Sequence, residues 1–486
     1  MTKVLEHLKP ERLWQLFEEI CQVPRPSKKE EKILAYLIDF AKRHKLDYKQ
    51  DKVGNLIITK EASKGYEDRA SIVLQSHVDM VCEKNDGIEH DFNTDPIKPE
   101  IVDGWVKAKG TTLGADNGIG VAAQLAILEA NDIGHGPIEC LFTVDEETGL
   151  TGAFNLEKGF VESRILLNLD SEDDGELFIG CAGGIDTMIT LPYEKVQAEA
   201  DHLPFKVSVT GLKGGHSGDD INKGRSNAIK ILNRILWNAE KMFELRLAEI
   251  KGGNLHNAIA REAFASISLP RRHEQAFSEL FQKLTVEIKN AVKANEPDLK
   301  IDLKETLMPD TLIDYASQTK LLNALYACPH GVMNMSPEIP GLVETSTNLA
   351  SVKMTEDKVI VITSQRSSLE TGKRDIADMV ASTFNLAGGK IKHGDGYPGW
   401  EPNMDSEILA ISQKAYKNLF GDNPKVLVIH AGLECGIIGE KYPGMDMISY
   451  GPTMRDAHSP DERIEISTVE KFWDLTLEVL QNAPKR

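Results

Sequence analysis

Short apolar segments alternate with amphipathic helical segments over much of this chain, and that alternation constrains its fold more than any other feature. A helical stripe begins after Pro10, and Ser27 with Glu30 predicts a capping box for a second helix. A further helix is predicted near residues 118–130. Buried strands are predicted at residues 55–59, 71–74, 138–144 and 165–169. Strands that alternate with helices in this way favour an α/β sheet covered on both faces.

The 486 residues are too many for one ordinary core, and the pattern changes twice along them. A polar stretch around residues 194–204 precedes FKVSVTG, which alternates with a period of two. Residues 393–403 are rich in turn formers, after which the strand KVLVI restores the α/β pattern. The sequence therefore predicts one discontinuous α/β domain, residues 1–190 and 400–486, interrupted by an α+β insertion of residues 191–399.

The charge and the cysteines exclude several classes of protein. The chain carries 75 acidic against 56 basic residues, a net charge of −19, which argues against nucleic acid or an anionic membrane as its main partner. No apolar run reaches the ~18 residues of a membrane helix, and the N-terminus lacks the pattern of a secretory signal. Six cysteines without a C-x-x-C pair predict a reduced, cytoplasmic protein.

A histidine and an aspartate follow the predicted strand of residues 71–74, in SIVLQSHVDM. His77 and Asp79 are two residues apart, so both side chains fall on one face if the strand continues. The functional interpretation makes His77 a metal ligand whose other ring N–H is held by Asp79. The alternative is an ordinary solvated or core histidine, which is more common for an isolated His-x-Asp.

Further ligand residues follow strands or occupy tight turns. Asp116 lies in the glycine-rich turn of GTTLGADNGIG, which lacks the Lys and Ser/Thr of a phosphate-binding loop; an ordinary helix cap is the alternative. Glu146 and Glu147 end the strand IECLFTV, where one carboxylate is suited to bind metal and the other to accept a proton. Asp170 follows ILLNL, and His458 lies in the late loop RDAHSPDE. Solvated loops are the alternative for each of these residues.

The order of these motifs is specific. His-x-Asp, Gly-Ala-Asp-Asn, Asp-Glu-Glu, Asn-Leu-Asp-Ser-Glu and Ala-His-Ser-Pro-Asp-Glu together resemble the M20 family of metallopeptidases. Within that family the chain is most similar to the bacterial aminoacyl-histidine dipeptidases, a carnosinase-like group also called peptidase D. The resemblance covers essentially the whole chain. It implies a zinc-aminopeptidase-like catalytic domain with an inserted α+β lid domain.

The resemblance assigns two divalent metal ions to five ligands: His77, Asp116, Glu147, Asp170 and His458. His77 and Asp170 hold one ion, Glu147 and His458 the other, and Asp116 bridges them, with a cis peptide bond to Asn117. Three carboxylates against two divalent ions leave a net charge of +1, which a bridging hydroxide neutralises. Imidazole with carboxylate suits zinc, with manganese or cobalt as alternatives. Asp79 orients His77, and Glu146 is the general base.

The resemblance also assigns residues to the substrate. His216, in the lid motif GGHSG, stabilises the oxyanion; an exposed histidine in a glycine-rich hairpin is the alternative. Asn257 and Arg366 match lid positions that contact substrate, and an arginine fork suits a terminal carboxylate, whereas a lone arginine is more often a surface ion pair. Glu434, in HAGLECG, matches a position close to the substrate that is suited to the free α-amino group.

The implied activity is that of a metallo-dipeptidase acting on Xaa-His dipeptides such as carnosine. A hydroxide bridging the two metals attacks the peptide carbonyl, and the partner is a small peptide. Two alternatives stay open: an N-acyl amino acid deacylase of the same fold, and a binding protein that retains the metal site without catalysis. Small lids in the family come with dimers that supply the histidine in trans. A homodimer is therefore one option, and this larger insertion offers a second, completion of the site within one chain.

Overall fold

A computed structural model describes residues 4–218, 220–337 and 339–486, and the chain forms two compact units. The first unit contains the chain up to Cys181, Trp400–Val428 and Leu433–Arg486, and the second contains Ala182–Gly399 and Ile429–Gly432. The second unit thus begins at residue 182, not at 191 as predicted. The strand Gly183–Pro192 pairs along its whole length with Lys358–Ser367 and so belongs to the insertion. The four residues from Ile429 also join the second unit, which the sequence did not predict.

The part of the first unit that precedes the insertion contains five helices and eight strands in the described residues. The helices are α1 (Glu11–Cys21), α2 (Glu31–His44), α3 (Ala115–Glu129), α4 (Glu146–Gly149) and α5 (Thr151–Asn155). The strands are β1 (Asp47–Gln50), β2 (Leu56–Lys60), β3 (Ile72–His77), β4 (Pro99–Val102), β5 (Trp105–Ala108), β6 (Ile138–Thr143), β7 (Ile165–Asn168) and β8 (Glu176–Cys181).

The rest of the chain continues in the same order. The insertion contains β9 (Gly183–Pro192), β10 (Lys195–Gln197), β11 (His202–Thr210), α6 (Ala228–Phe243), β12 (Arg246–Gly252), β13 (Ala263–Pro270), α7 (Glu274–Val292), β14 (Lys300–Glu305), β15 (Thr311–Ile313), α8 (Tyr315–Ala327), β16 (Gly331–Met335), β17 (Val343–Met354), β18 (Lys358–Ser367), α9 (Glu370–Leu386) and β19 (Lys390–His393). The C-terminal part contains α10 (Glu407–Phe420), β20 (Lys425–Ile429), α11 (Glu434–Lys441), β21 (Asp446–Ser449), β22 (Met454–Arg455), β23 (Arg463–Glu465) and α12 (Ile466–Gln481). None of the described helices combines the length and apolarity needed to cross a bilayer.

An eight-stranded sheet is the centre of the first unit, in the order β1-β2-β6-β3-β7-β21-β8-β20. Its four central strands, β6, β3, β7 and β21, run parallel. All residues of β3, β6 and β7 are buried, as expected for strands covered on both faces. Because these strands are parallel, their carboxyl ends meet at one edge of the sheet, where open α/β sheets place their sites. A separate four-stranded sheet has the order β22-β23-β5-β4.

The N-terminal helices cover this sheet, and one predicted cap is wrong. The apolar stripe of α1, which includes Leu13 and Phe17, is fully buried in the core. The capping box of Ser27 and Glu30 does not form at the start of α2. The Ser27 hydroxyl donates instead to Asp79 (2.7 Å), and the Glu30 carboxylate accepts from the backbone N–H of Asp145 (3.0 Å). Both side chains serve tertiary contacts that local sequence does not encode.

The second unit has a different architecture. Its nine-stranded sheet follows the path β14-β11-β13-β12-β17-β18-β9-β19, with β16 beside β17, and every pair is antiparallel. The apolar side chains of α6–α9 are buried in one core with the sheet. Asn227 caps α6 by accepting from the N–H groups of Ile229 and Lys230. Antiparallel strands and helices in one core form the α+β arrangement expected for the insertion.

Candidate metal centre

His77 ends β3, and its ring lies among carboxylates. The side chain is 1% exposed, with Nε2 3.0 Å from Asp116 Oδ1 and 3.4 Å from Asp170 Oδ1. Its other nitrogen, Nδ1, lies 3.4 Å from Asp79 Oδ1. The ring therefore has Asp79 on one side and a pair of acidic oxygens on the other. This is the arrangement that metal-binding histidines use, in which a second carboxylate orients the ring.

Asp116 occupies the centre of the cluster. Its Oδ1 faces His77, and its Oδ2 lies 3.3 Å from His458 Nε2. The residue lies at the start of α3 with non-helical backbone angles (φ −76°, ψ 113°), and a cis peptide bond joins it to Asn117. The two oxygens of its carboxylate thus face two different histidines.

The donor atoms fall into two groups that share this aspartate. His77, Asp116 and Asp170 form one group, and Asp116, Glu147 and His458 form the other, each with its donor atoms within 4.8 Å of one another. Within the part of the chain that the structure describes, Glu147 Oε1 is buried and has no hydrogen-bond partner. Imidazole and carboxylate donors in two adjoining groups fit two divalent ions that share one bridging ligand.

Burial and mutual charge shift the pKa values of several groups in this cluster. Hydrogen bonds to Asp116 and Glu147 raise the pKa of His458 to about 11. Burial lowers the pKa of His77, but Asp170, Asp116 and Asp79 together raise it well above its ordinary value. Burial, with the charges of Asp116 and Glu147, raises the pKa of Asp170 to about 6. Crowded, desolvated carboxylates bind protons or metal cations more tightly than exposed carboxylates do.

Glu146 and Glu147 begin α4 and have different surroundings. Glu147 lies 2.9 Å from His458 and belongs to a donor group that contains Asp116. Glu146 belongs to neither group containing that aspartate, but its carboxylate lies within 4.8 Å of donor atoms of His77 and Glu147. Burial and the neighbouring carboxylates raise the pKa of Glu146 well above its ordinary value. Both backbone N–H groups donate to Asp79, at 3.0 and 3.2 Å. Asp79 therefore holds the turn that carries both glutamates as well as the ring of His77.

Glu434, the first residue of α11, is also buried in the first unit, with 1% exposure. Its Oε2 accepts from Gln75 Nε2 (2.6 Å) and from the Thr143 hydroxyl (2.8 Å). Its Oε1 is buried without a hydrogen-bond partner among the residues described. Burial, offset in part by His77 and reinforced by Asp170, raises the pKa of this carboxyl to about 7.

Three predicted site residues lie in the second unit. His216 and Asn257 line one cavity of about 830 Å³, and the Ser217 N–H donates to the Asn257 carbonyl (2.8 Å). Arg366 lies on β18, with 7% exposure. Its Nη1 donates to the Tyr397 hydroxyl (3.0 Å) and to the His430 carbonyl (3.5 Å).

Comparison with known proteins identifies the family of this chain and two similar dipeptidases. The profile of peptidase family M20/M25/M40 matches residues 73–482. The chain belongs to this family. It is 41% identical over 482 residues to the cytosol non-specific dipeptidase of Escherichia coli K12, covering 99% of both chains. The crystal structure of aminoacylhistidine dipeptidase from Vibrio alginolyticus matches with a TM-score of 0.94 and 45% identity over 100% of this chain and 99% of that one.

A more distant match bears on the fold alone. The aminopeptidase PepT of Bacillus cereus matches with a TM-score of 0.58 and 17% identity, over 98% of this chain and 99% of its own. The M20 fold, a catalytic domain with an inserted lid domain, is therefore the fold of this chain, as its motifs predict.

The sequence analysis of this M20 peptidase did not predict the hydrogen bonds that surround its candidate metal ligands. Asn117 Nδ2 donates to Asp170 Oδ1 and to the Leu169 carbonyl (2.8 Å), so it joins the turn of Asp116 to the end of β7. The only local signal for this contact is the amide that follows the aspartate in G-A-D-N-G. Two further residues, Glu462 and Arg25, form contacts with the same turn. Glu462 is the last residue of the Ala-His-Ser-Pro-Asp-Glu motif, but the sequence analysis gave it no role, and it did not single out Arg25.

Proposed function

We propose that this M20 peptidase binds two divalent ions, zinc by preference, and hydrolyses dipeptides. The observation that carries the proposal is the pair of donor groups that share Asp116, with Glu146 beside them. His77 and Asp170 would hold one ion, Glu147 and His458 would hold the other, and Asp116, which belongs to both donor groups, would serve both. Ions of this kind supply a Lewis acid that polarises the peptide carbonyl and lowers the pKa of water.

The residues of the chain supply the proton transfers and the positioning. Glu146 accepts the proton of the attacking water and delivers it to the amine that leaves. Asp79 holds Glu146 in place by accepting its backbone N–H, and it orients the ring of His77, whose Nδ1 lies 3.4 Å from Asp79 Oδ1. In the second unit, His216, with Asn257 in the same cavity, is assigned to the developing oxyanion.

The environment of Arg366 supports its assignment to the carboxylate of the substrate. Its guanidinium is buried, and no carboxylate of the described chain lies within salt-bridge distance of it; the partners of Nη1 are a neutral hydroxyl and a carbonyl. A buried positive charge without an anion is unfavourable. The C-terminal carboxylate of a dipeptide would supply that anion through a charge-assisted hydrogen bond.

Replacing Arg366 with glutamine is expected to raise KM for dipeptides about 10–100-fold, because a hydrogen bond to a charged group contributes about 1.5–3 kcal/mol. Steady-state kinetics with a dipeptide and its C-terminal amide provide the measurement. The wild-type protein should prefer the free acid, and Arg366→Gln should lose that preference. Arg374→Gln, a change at an exposed arginine of α9, serves as the control. If Arg366→Gln still preferred the free acid over the amide as strongly as the wild-type protein does, Arg366 would not be the residue that binds the substrate carboxylate.

The unpartnered oxygen of Glu434 supports recognition of a free α-amino group. A buried carboxylate oxygen without a donor carries a large desolvation cost. An ammonium group removes that cost by donating to Oε1 and by pairing with the charge. An N-acyl amino acid carries no such group, so this residue favours a dipeptidase over the deacylase alternative.

A substrate panel tests the proposed function. We expect hydrolysis of Xaa-His and other dipeptides, weak hydrolysis of tripeptides, and little hydrolysis of N-acetyl amino acids. Glu434→Gln should reduce kcat/KM for dipeptides and leave the low rate on N-acetyl amino acids unchanged; Glu440→Gln, at an exposed position on the same helix, is the control. Faster turnover of N-acetyl amino acids than of every dipeptide would establish the deacylase instead.

The breadth of the substrate range and the cellular location are proposed from the relatives. The Vibrio protein is named for aminoacylhistidine substrates and the Escherichia coli protein for a lack of specificity. We infer that Xaa-His dipeptides such as carnosine are among the substrates of this chain. The name of the second relative also places it in the cytosol. All six cysteines of this chain are free thiols, which supports the same reducing compartment.

A further inference from the structure

The turn that carries Asp116 is held from two sides by buried charged residues outside the proposed ligand set. We propose that Glu462 and Arg25 are positioning residues: together they lock three ligand-bearing segments, residues 77–79, 113–116 and 458–462, into one rigid frame. The proposal rests on the metal centre proposed above. It assigns to two further side chains the task of holding Asp116 where it faces His77 and His458 at once.

Glu462 holds the turn through its N–H groups. The side chain is 2% exposed. Its Oε2 accepts from the N–H groups of Leu113 (2.7 Å) and Gly114 (2.9 Å), and its Oε1 accepts from those of Ala115 (2.7 Å) and Asp116 (3.3 Å). Four successive backbone donors thus converge on one carboxylate. Glu462 lies four residues after His458, so the same contact joins the loop of His458 to the turn of Asp116.

Arg25 holds the same turn through a carbonyl. Its side chain is 2% exposed, and Nη2 donates to the Gly114 carbonyl. Its Nη1 donates to the carbonyls of Val78 (3.1 Å) and Asp79 (2.9 Å), in the segment that follows His77. One guanidinium therefore ties the end of β3 to the Asp116 turn. A planar group with several fixed donors is suited to such a contact, and an ammonium is less so.

Glycines leave the space that this contact requires. Gly114 has a φ of +67°, and a Cβ on it would lie 2.5 Å from Arg25 Nη2. A Cβ on Gly118 would lie 2.7 Å from the same nitrogen. The close approach of guanidinium and backbone therefore depends on glycine at both positions. It also restricts the arginine to one position, which makes the frame rigid.

The opposite charges of Arg25 and Glu462 bear on whether the two residues mainly stabilise the fold or mainly position the Asp116 turn. Arg25 and Glu462 attract each other across the turn, which offsets part of the cost of burying both. Their hydrogen bonds nevertheless go to the backbone of the segments that carry ligands. Buried ion pairs contribute little net stability compared with apolar side chains. The specific gain is geometric, because a small rotation of the Asp116 turn would displace a ligand of both ions simultaneously.

The test compares Glu462→Gln with Glu139→Gln. Glu139 is also a buried glutamate of the first unit that accepts backbone N–H groups, from Glu162 and Ser163, but it lies near the start of β6, at the opposite end from Glu146. Metal-free proteins are titrated with Zn²⁺ alone by calorimetry, and their Tm values are measured. Glu462→Gln places an amide donor against two N–H groups. It should weaken Zn²⁺ binding about 10–100-fold, as for other residues that hold ligands.

Glu139→Gln should lower Tm without changing the affinity for Zn²⁺. Excess Zn²⁺ should restore much of kcat in Glu462→Gln, because its chemistry is intact. Glu462→Asp and Arg25→Lys keep the charges with shorter reach or fewer donors, and should give intermediate losses; they replace Glu462→Gln if that variant does not fold. The inference is overturned if these variants bind Zn²⁺ as tightly as Glu139→Gln does. If the wild-type protein binds no Zn²⁺, the proposed function itself fails.

Discussion

Replacing Glu146 with glutamine should lower kcat by about 10²–10⁴-fold, the usual contribution of a general acid–base residue, while the protein keeps its metal ions. The reason is geometric. Glu146 shares a donor group with His77 and Glu147, but it belongs to neither of the two groups that contain Asp116, and those two groups supply the proposed ligands of both ions. Glutamine preserves the shape and the backbone N–H that donates to Asp79. It cannot accept a proton from water. Steady-state kinetics and elemental analysis of the same preparation provide the measurement.

Glu147→Gln is the matched control for this substitution. Glu147 lies one residue further along α4 and contacts His458 at 2.9 Å, so its loss should reduce metal content and activity together. The pH profile gives a second check. Burial and the nearby carboxylates raise the pKa of Glu146, whereas bound cations act in the opposite direction. Activity should fall as pH decreases through the resulting pKa, and the residual rate of Glu146→Gln should lack this acidic limb. Substantial activity of Glu146→Gln at full metal content would show that Glu146 is not the general base.

Removing the metals should abolish hydrolysis, and restoring them should return it. Protein purified without chelators is expected to carry about two divalent ions per chain. Dialysis against a strong chelator should reduce turnover to background and lower Tm, because ions that bind only the folded state stabilise it by mass action. Elemental analysis before and after dialysis, with reconstitution by Zn²⁺, Mn²⁺ or Co²⁺, measures the effect. Full activity in a metal-free preparation would contradict the proposed centre.

Metal binding should also release protons and tighten as pH rises. Without metal, hydrogen bonds to Asp116 and Glu147 raise the pKa of His458 to about 11, and the surrounding carboxylates raise that of His77 as well. The raised pKa values favour protonated rings in the metal-free protein, and a protonated ring must lose its proton to bind an ion. Calorimetric titration with Zn²⁺ in buffers of different ionisation enthalpy counts the protons released. A count of zero at pH 7 would show that these histidines do not become ligands.

Much of the fold and of the candidate site could be predicted because the relevant signals are local. The all-buried runs at β3, β6 and β7 are visible as apolar segments, and a proposed ligand lies at or within four residues of the end of each: His77, Glu147 and Asp170. The parallel order β6-β3-β7 then brings these strand ends to one edge. The two changes of pattern along the chain likewise marked an insertion, although its first boundary was placed nine residues too late.

The two wrong predictions, the capping box and the first domain boundary, both arise from contacts between residues that are far apart in the sequence. Glu30 was assigned to a helix cap, yet its carboxylate accepts the N–H of Asp145, 115 residues away. The boundary at residue 191 was wrong because β9 gains its partner, β18, from a segment more than 160 residues later. Neither contact leaves a trace in the periodicity of the local sequence. A polar side chain has several possible partners, and only the folded chain selects one.

The sequence by itself determined which residue types could bind metal, in what order, and at the ends of which strands, because hydrophobic periodicity and short motifs are properties of neighbouring residues. The tertiary structure decided how those residues are held. Glu462 reaches the N–H of Ala115 across 347 positions of sequence, and Arg25 reaches the carbonyl of Gly114 across 89. Backbone donors and acceptors are the same at every position, so no residue pattern identifies such contacts, and only the folded geometry shows which turn receives them.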